Sequence, residues 1–325
     1  MSIIVTGSIA TDYLTAFPGR FVEQILPDQL DSLSVSFLVE ELAIHRGGAG
    51  ANIAFNLGCL GLAPVLVGAV GADFAEYGEW LSAHGVDISA VRISQSKHTA
   101  RFMCITDADQ NQIASFYPGA MSESRDIALK PIVDGLHRTD LVLVGPNDPA
   151  AMLRHTQECR DRGYPFAADP SQQLATLDGD QIKPLVEGAA YLFTNTYERS
   201  LLQHKTGWSD EDILARVGVS VMTRGAKGVT VQRPDEPVIS VTPPQERVKA
   251  DPTGVGDAFR AGFLAGVEWG VSEERAAQLG CMLATLVIES VGTQEHKFER
   301  ETLLERFSEA YGPDSAAEVA DHLRA

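Results

Sequence analysis

Along the chain, short apolar runs alternate with longer stretches whose apolar positions recur every three to four residues. Residues 3–7, 64–70, 140–145, 165–169, 190–195 and 219–223 are short and almost wholly apolar, the pattern of strands buried on both faces. Residues 51–60, 74–84, 150–162 and 198–205 carry helical spacing between them. Such β-then-α alternation predicts an α/β fold, three-layer α/β/α, with a mostly parallel central sheet. From Gly254 onward the pattern is nearly all helical, with helices predicted over 258–267, 273–289, 300–310 and 315–323.

Two segments break the alternation. Residues 12–43 hold extended pieces at 13–17 and 34–39 around a Pro- and Gly-marked stretch. Residues 99–118 read as a hairpin: TARFMCITD, a polar turn at 108–111, then QIASFYP. A turn centred on Asp109 sets Phe102 opposite Phe116. Together the two segments predict a small antiparallel β lid, inserted into a main domain made of residues 1–11, 44–98 and 119–325.

Composition narrows the function. The 325 residues are 44% hydrophobic and 22% charged, ordinary globular usage, with a formal net charge of −18. That acidity disfavours nucleic acid or an anionic membrane as a partner but leaves room for a local anion site. Cys59, Cys104, Cys159 and Cys281 form no C-x-x-C pair, and the histidines show no H-x-x-x-H spacing, so packing cysteines in a reducing cytoplasm are expected and a transition-metal site is not. The N-terminus lacks a basic n-region, and no run approaches the ~18 apolar residues of a membrane span.

The most informative stretch is DPTGVGDAFRAGF at 251–263. Gly254 and Gly256 allow tight backbone at the mouth of a helix that begins near Val255. The unpaired amides of such a helix start form an anion hole, and Asp257 lies in its first turn. A carboxylate beside an anion hole can take a proton from a hydroxyl while the hole holds a phosphate. The plain alternative is a glycine-rich helix start with a capping acid. No G-x-x-x-x-G-K-[ST] is present, and Ile53 stands where G-x-G-x-x-G requires its third glycine, so a P-loop and a dinucleotide fingerprint both fail.

DPTGVGDAFRAGF resembles the C-terminal motif of the ribokinase-like (pfkB) carbohydrate and nucleoside kinases, D-T-x-G-A-G-D, with Pro252 in place of Thr and Val255 in place of Ala. GGAGANIA at 47–54, NTYE at 195–198 and TRGAKG at 223–228 resemble three further family motifs, in family order and over nearly the whole chain. TGSIATDYL, SFLVEEL, HRGGAGAN, ARFMCITD and QIASFYPGAMSE are most similar to the actinobacterial adenosine kinases.

The resemblance implies ATP- and Mg²⁺-dependent phosphorylation of adenosine at its 5′-hydroxyl. Asp257 would be the base, and Gly254, Val255 and Gly256 the anion hole. Asp12 and Asn52 would hold sugar hydroxyls, with Gly48 admitting the sugar and Ser8 and Ser36 as further candidates. Asn195 would lie near the ATP phosphates and Glu198 would reach Mg²⁺ through water. Thr223, Arg224, Gly225, Ala226, Lys227 and Gly228 would cradle the nucleotide. A monovalent cation (K⁺) is implied near Asp251 and Thr253, and a homodimer through the lid. Phe102 and Phe116 are the rings the lid offers to a purine. After Asp169-Pro170, where the family often has Asn and a nearby basic residue, this chain has Ser171-Gln172-Gln173 and no Lys or Arg before Lys183. Another ribokinase-family kinase, acting on ribose, fructose or a different purine nucleoside, is the nearest alternative. A non-catalytic nucleoside sensor is a more distant one, because binding alone needs no base.

Overall fold

The computed structural model describes residues 3–25, 31–32, 34–137, 139–297 and 299–323. Its strands are β1 Ile3–Thr6, β2 Ala10–Ala16, β3 Glu41–Gly47, β4 Val65–Val70, β5 Val91–Ile93, β6 Ala100–Thr106, β7 Gln112–Tyr117, β8 Leu141–Val144, β9 Phe166–Ala168, β10 Tyr191–Asn195, β11 Val219–Thr223, β12 Val229–Gln232 and β13 Ile239–Val241.

Nine strands form the main sheet in the order β13-β12-β11-β10-β9-β8-β1-β4-β5. Every ladder from β11 to β5 is parallel, and β12 and β13 add an antiparallel edge. The central strands β1, β4 and β8 are buried along their whole length, which is why they read as unbroken apolar runs. Two hydrophobic cores lie on the two faces. One packs helices Ala49–Cys59, Val255–Trp269 and Glu273–Ile288 under sheet residues such as Val5, Phe193 and Val221. The other packs helix Pro149–Arg162 under Ile4, Val142 and Leu192. Alternate residues of one strand thus point into opposite cores. All eight helices predicted above are present, their ends shifted by up to three residues.

The smaller sheet has the order β3-β2-β6-β7. Its outer ladders, β2–β3 and β6–β7, are antiparallel, and the central β2–β6 ladder is parallel because both strands leave the main domain in the same direction. Phe102 pairs with Phe116, as the hairpin count predicts. The piece predicted at 34–39 joins neither sheet; the strand lies later, at Glu41–Gly47. The alternation at 34–39 has another cause. Phe37 turns into an aromatic cluster with Phe17 and Phe21, ring centroids 5.0 and 4.9 Å away. All four cysteines are free. Among the described residues no helix is long and apolar enough to cross a membrane.

Candidate active site

The site residues follow the C-terminal ends of the parallel strands, where loops of an α/β sheet open a crevice. Ser8 follows β1, Pro146 follows β8, Asp169 follows β9, and Asn195 and Thr223 end β10 and β11. Above them, the helix Val255–Trp269 begins at Gly254, whose φ of 78° is left-handed backbone suited to glycine.

Two cavities meet at that helix start. The first, about 420 Å³, lies under the small sheet and is lined by Ser8, Asp12, Gly48, Asn52, Phe102, Phe116, Gly254 and Asp257. The second, about 340 Å³, is lined by Asn195, Thr223, Gly225, Ala226, Gly228, Val255 and Gly256. The first-turn amides, which have no partner inside the helix, therefore stand at the wall between the cavities, beside the Asp257 carboxylate.

Asp12 sits on β2 directly across from His45 on β3. Gly47 leaves room for it, since a Cβ there would lie 2.8 Å from Asp12 Oδ2. Burial pushes the Asp12 carboxyl up to about 6, with His45 opposing and Asp251 reinforcing the shift. Gly48 has φ 92°, and a Cβ there would meet the Ser8 carbonyl oxygen and the Ala10 nitrogen at 2.6 Å, so the chain passes this close only as glycine. Ser8 Oγ accepts the Ala49 N–H at 3.0 Å.

Asn52 lies inside the helix Ala49–Cys59, whose cap is Gly48, so its amide is free of a capping duty. Its Nδ2 donates to Asp257 Oδ2 at 2.8 Å. Burial raises Asp257 to about 6. The Asn52 bond and the Arg260 charge oppose that rise, and the Asp169 and Glu198 charges add to it.

Asn195 and Glu198 close a reciprocal capping box: Asn195 Oδ1 accepts Glu198 N–H at 2.8 Å, and Glu198 Oε2 accepts Asn195 N–H at 2.7 Å. Asn195 still borders the second cavity, whereas Glu198 stands behind it. Arg260 Nη2 is 3.7 Å from Glu198 Oε2, and Ser171 Oγ is 3.4 Å from Oε1. Both carboxylate oxygens are thus engaged. This donor fits a Mg²⁺ that keeps its waters and touches protein through them, and does not fit one ligated directly. Among the described residues no group of three or more His, Cys, Asp or Glu side chains is placed to hold a metal.

Three of the candidate residues stand apart. Ser36 is exposed and lines neither cavity, because residues 34–39 turn Phe37 inward and Ser36 outward. Arg224 folds back on its own loop, Nη2 to the Lys227 carbonyl at 3.4 Å, and Lys227 points to solvent. The cation bordering the second cavity is Lys249, held 3.0 Å from Glu246.

The chain also supplies groups that motif reading missed. Arg260 Nε and Nη2 lie 2.5 and 2.7 Å from the Asp169 carboxylate. Arg260 thus pairs with Asp169 from a helix 91 residues away in sequence, and it lines neither cavity. Gln172, Gln173, Met121 and Thr293 also line the first cavity. Asp251 accepts the N–H groups of Thr253 and Gly292 at 2.8 and 3.0 Å, tying the loop before the helix to the loop after Glu289.

The family model for pfkB family carbohydrate kinases matches residues 14–299. The chain belongs to this family. It is a kinase of the ribokinase-like fold. It is 29% identical over 313 residues to a nucleoside kinase of Methanothermobacter thermautotrophicus, covering 95% of this chain and 96% of that one. The structure of Burkholderia thailandensis nucleoside kinase in complex with inosine is similar with a TM-score of 0.83 and 35% identity, covering 96% of this chain and 98% of the other. The same protein with ADP-inosine is similar with a TM-score of 0.81 and 36% identity, covering 96% of each chain.

Proposed function

We propose that this kinase transfers the γ-phosphoryl group of ATP to the 5′-hydroxyl of a purine nucleoside, with adenosine as the preferred acceptor, giving AMP and ADP. The observation that carries the proposal is the shared wall: an acceptor-sized cavity and a second cavity meet at the amides of residues 254–256 and the carboxylate of Asp257. Two substrates held on either side of that wall bring a hydroxyl and a phosphate together, which is most of what phosphoryl transfer asks of a protein.

In this reading the ribose lies against Asp12 and Asn52. Asp257 takes the 5′-hydroxyl proton as the oxygen bonds to the γ-phosphorus, and the bond to the β-phosphate oxygen breaks as ADP leaves. The helix-start amides hold the charge that builds on the transferring group. Mg²⁺ bound to the ATP phosphates would neutralise charge on their oxygens. The residues that would face it are Asn195 and, through water, Glu198. A K⁺ ion beside Asp251 and Thr253 would reinforce the joined loops that flank the anion hole.

The first cavity favours a nucleoside over a bare sugar. It runs past Asp12 and Asn52 to Phe102, Phe116 and Met121, and the amide of Gln172 stands on its edge, that of Gln173 being held by Asn147 and Thr176. Rings and a thioether suit a flat base, and amides carry both donor and acceptor for its edge. The similar protein bound to inosine supports the purine class.

The test is an acceptor panel with ATP and Mg²⁺, read by ADP release: adenosine, inosine, cytidine, ribose and fructose. The expected order puts adenosine first and ribose at least about tenfold lower in kcat/KM, the loss of one stacking interaction. A preference for inosine would keep the nucleoside assignment and remove adenosine. A preference for ribose or fructose would overturn both.

A further inference from the structure

Behind Asn52 lies a group of buried and half-buried side chains with no part in the transfer as described. Trp80 Nε1 donates to Gln294 Oε1 at 3.1 Å. An indole N–H can only donate, so this bond decides which end of the Gln294 amide is oxygen. Gln294 Nε2 then faces Asn52 Oδ1 at 2.9 Å and Tyr77 Oη at 2.6 Å. The Tyr77 hydroxyl donates its own hydrogen bond to the Gly47 carbonyl at 2.9 Å. Gln294 is 1% exposed and Asn52 3%, so no bulk water competes for the bonds from Gln294 to Asn52 and Tyr77.

The direction of the chain matters for Asp257. Thr293 Oγ1 lies 2.9 Å from Asn52 Oδ1 and 2.8 Å from the Arg46 carbonyl. The one Thr293 proton can go to the Arg46 carbonyl or to Asn52 Oδ1 but not to both, so Thr293 does not fix the Asn52 amide in the orientation seen. Gln294 is satisfied in one orientation only. A flipped Asn52 would set NH₂ against NH₂ at Gln294 and a carbonyl oxygen against the Asp257 carboxylate.

We propose that Gln294 is a positioning residue for the catalytic base: oriented by the Trp80 indole, it holds the Asn52 amide so that its NH₂ and not its oxygen meets Asp257. The inference rests on the reading of Asp257 as the base. A hydrogen bond given to a carboxylate favours its charged form, and an apposed carbonyl oxygen disfavours it. The charged groups around Asp257 are Arg260 one turn along its own helix, Asp169 beyond β9 and Glu198 on helix Thr196–Thr206, and Tyr77 stands on the far side of Asn52. Arg260, Asp169 and Glu198 make no hydrogen bond to Gln294; Tyr77 does, and burial holds its hydroxyl in the uncharged form.

The experiment is the pH dependence of kcat for wild type, Gln294→Met and Trp80→Phe, with KM for nucleoside and ATP at each pH and the melting temperature of each protein. Both variants should move the acid limb of kcat upward by about half a pH unit or more, a threefold or larger loss below the limb. The rate should recover at alkaline pH, and KM for ATP should stay within about twofold. A merely structural role would lower the rate evenly across pH. Trp80→Phe removes the indole donor and keeps an aromatic ring beside Phe55, His84 and Arg46, so it decides the matter if Gln294→Met does not fold. An acid limb present in wild type and unmoved in the folded variants overturns the role of Gln294. A wild-type profile with no acid limb overturns the base assignment itself.

Discussion

Phe102 on β6 and Phe116 on β7 stand directly opposite each other across their antiparallel ladder, and both border the cavity that holds Asp12 and Asp257. Opposed residues on such a pair share a face. Phe116 is half exposed, apolar surface that a bound base would cover. Replacing either ring with Ala is expected to weaken adenosine use about 10- to 100-fold, the value of base–aromatic stacking, with KM for ATP little changed. Steady-state kinetics with each substrate varied in turn reads the difference. Equal losses for both substrates would show that the rings merely fill the lid.

Acid should silence the enzyme near pH 6. Burial raises both Asp12 and Asp257 to about 6, and the proposed reaction needs each as a carboxylate: Asp12 to accept from ribose hydroxyls, Asp257 to accept the transferred proton. Protonation therefore removes activity as pH falls through that value. The expected kcat/KM profile is flat above about pH 7 and falls about tenfold per unit or more steeply below pH 6. Asp12→Asn should lower kcat/KM throughout and leave the limb belonging to Asp257.

Much of this site was legible in the chain, and the unread parts share a cause. The hairpin register follows from counting outward from a polar turn, a local property. The helix start at 254–257 and the glycine contact at 47–48 are also local, written in a few consecutive residues. The Arg260–Asp169 pair and the Gln294–Asn52 bond join residues 91 and 242 positions apart, and nothing in either neighbourhood announces the other. The strand Glu41–Gly47 escaped for a different reason. It is an exposed strand with charged residues, while the segment before it alternates because Phe37 enters an aromatic cluster. Strands β12 and β13, the second of them the sheet edge, are so short that their periodicity spans too few residues to be read.

The outer face of the small sheet should carry a self-association surface. Leu42, Ile44, Met103 and Ile113 are exposed and share the face opposite to Asp12, Phe102 and Phe116. A second copy laid on this face would cover them. Sedimentation velocity at micromolar concentration should show a dimer, and Ile44→Lys with Met103→Glu should return it to monomer. A monomer in wild type, or a dimer that survives both charges, would place the contact elsewhere or remove it.

The account turns on one carboxylate at the wall between two cavities, and turnover by Asp257→Asn tests it most directly. The variant keeps the shape of the side chain and loses the base. The expected result is a fall in kcat of about 10²–10⁴, with KM for adenosine and ATP each within a few-fold of wild type. A kcat within about tenfold of wild type, measured on folded protein, would contradict the assignment of Asp257 as the group that takes the proton.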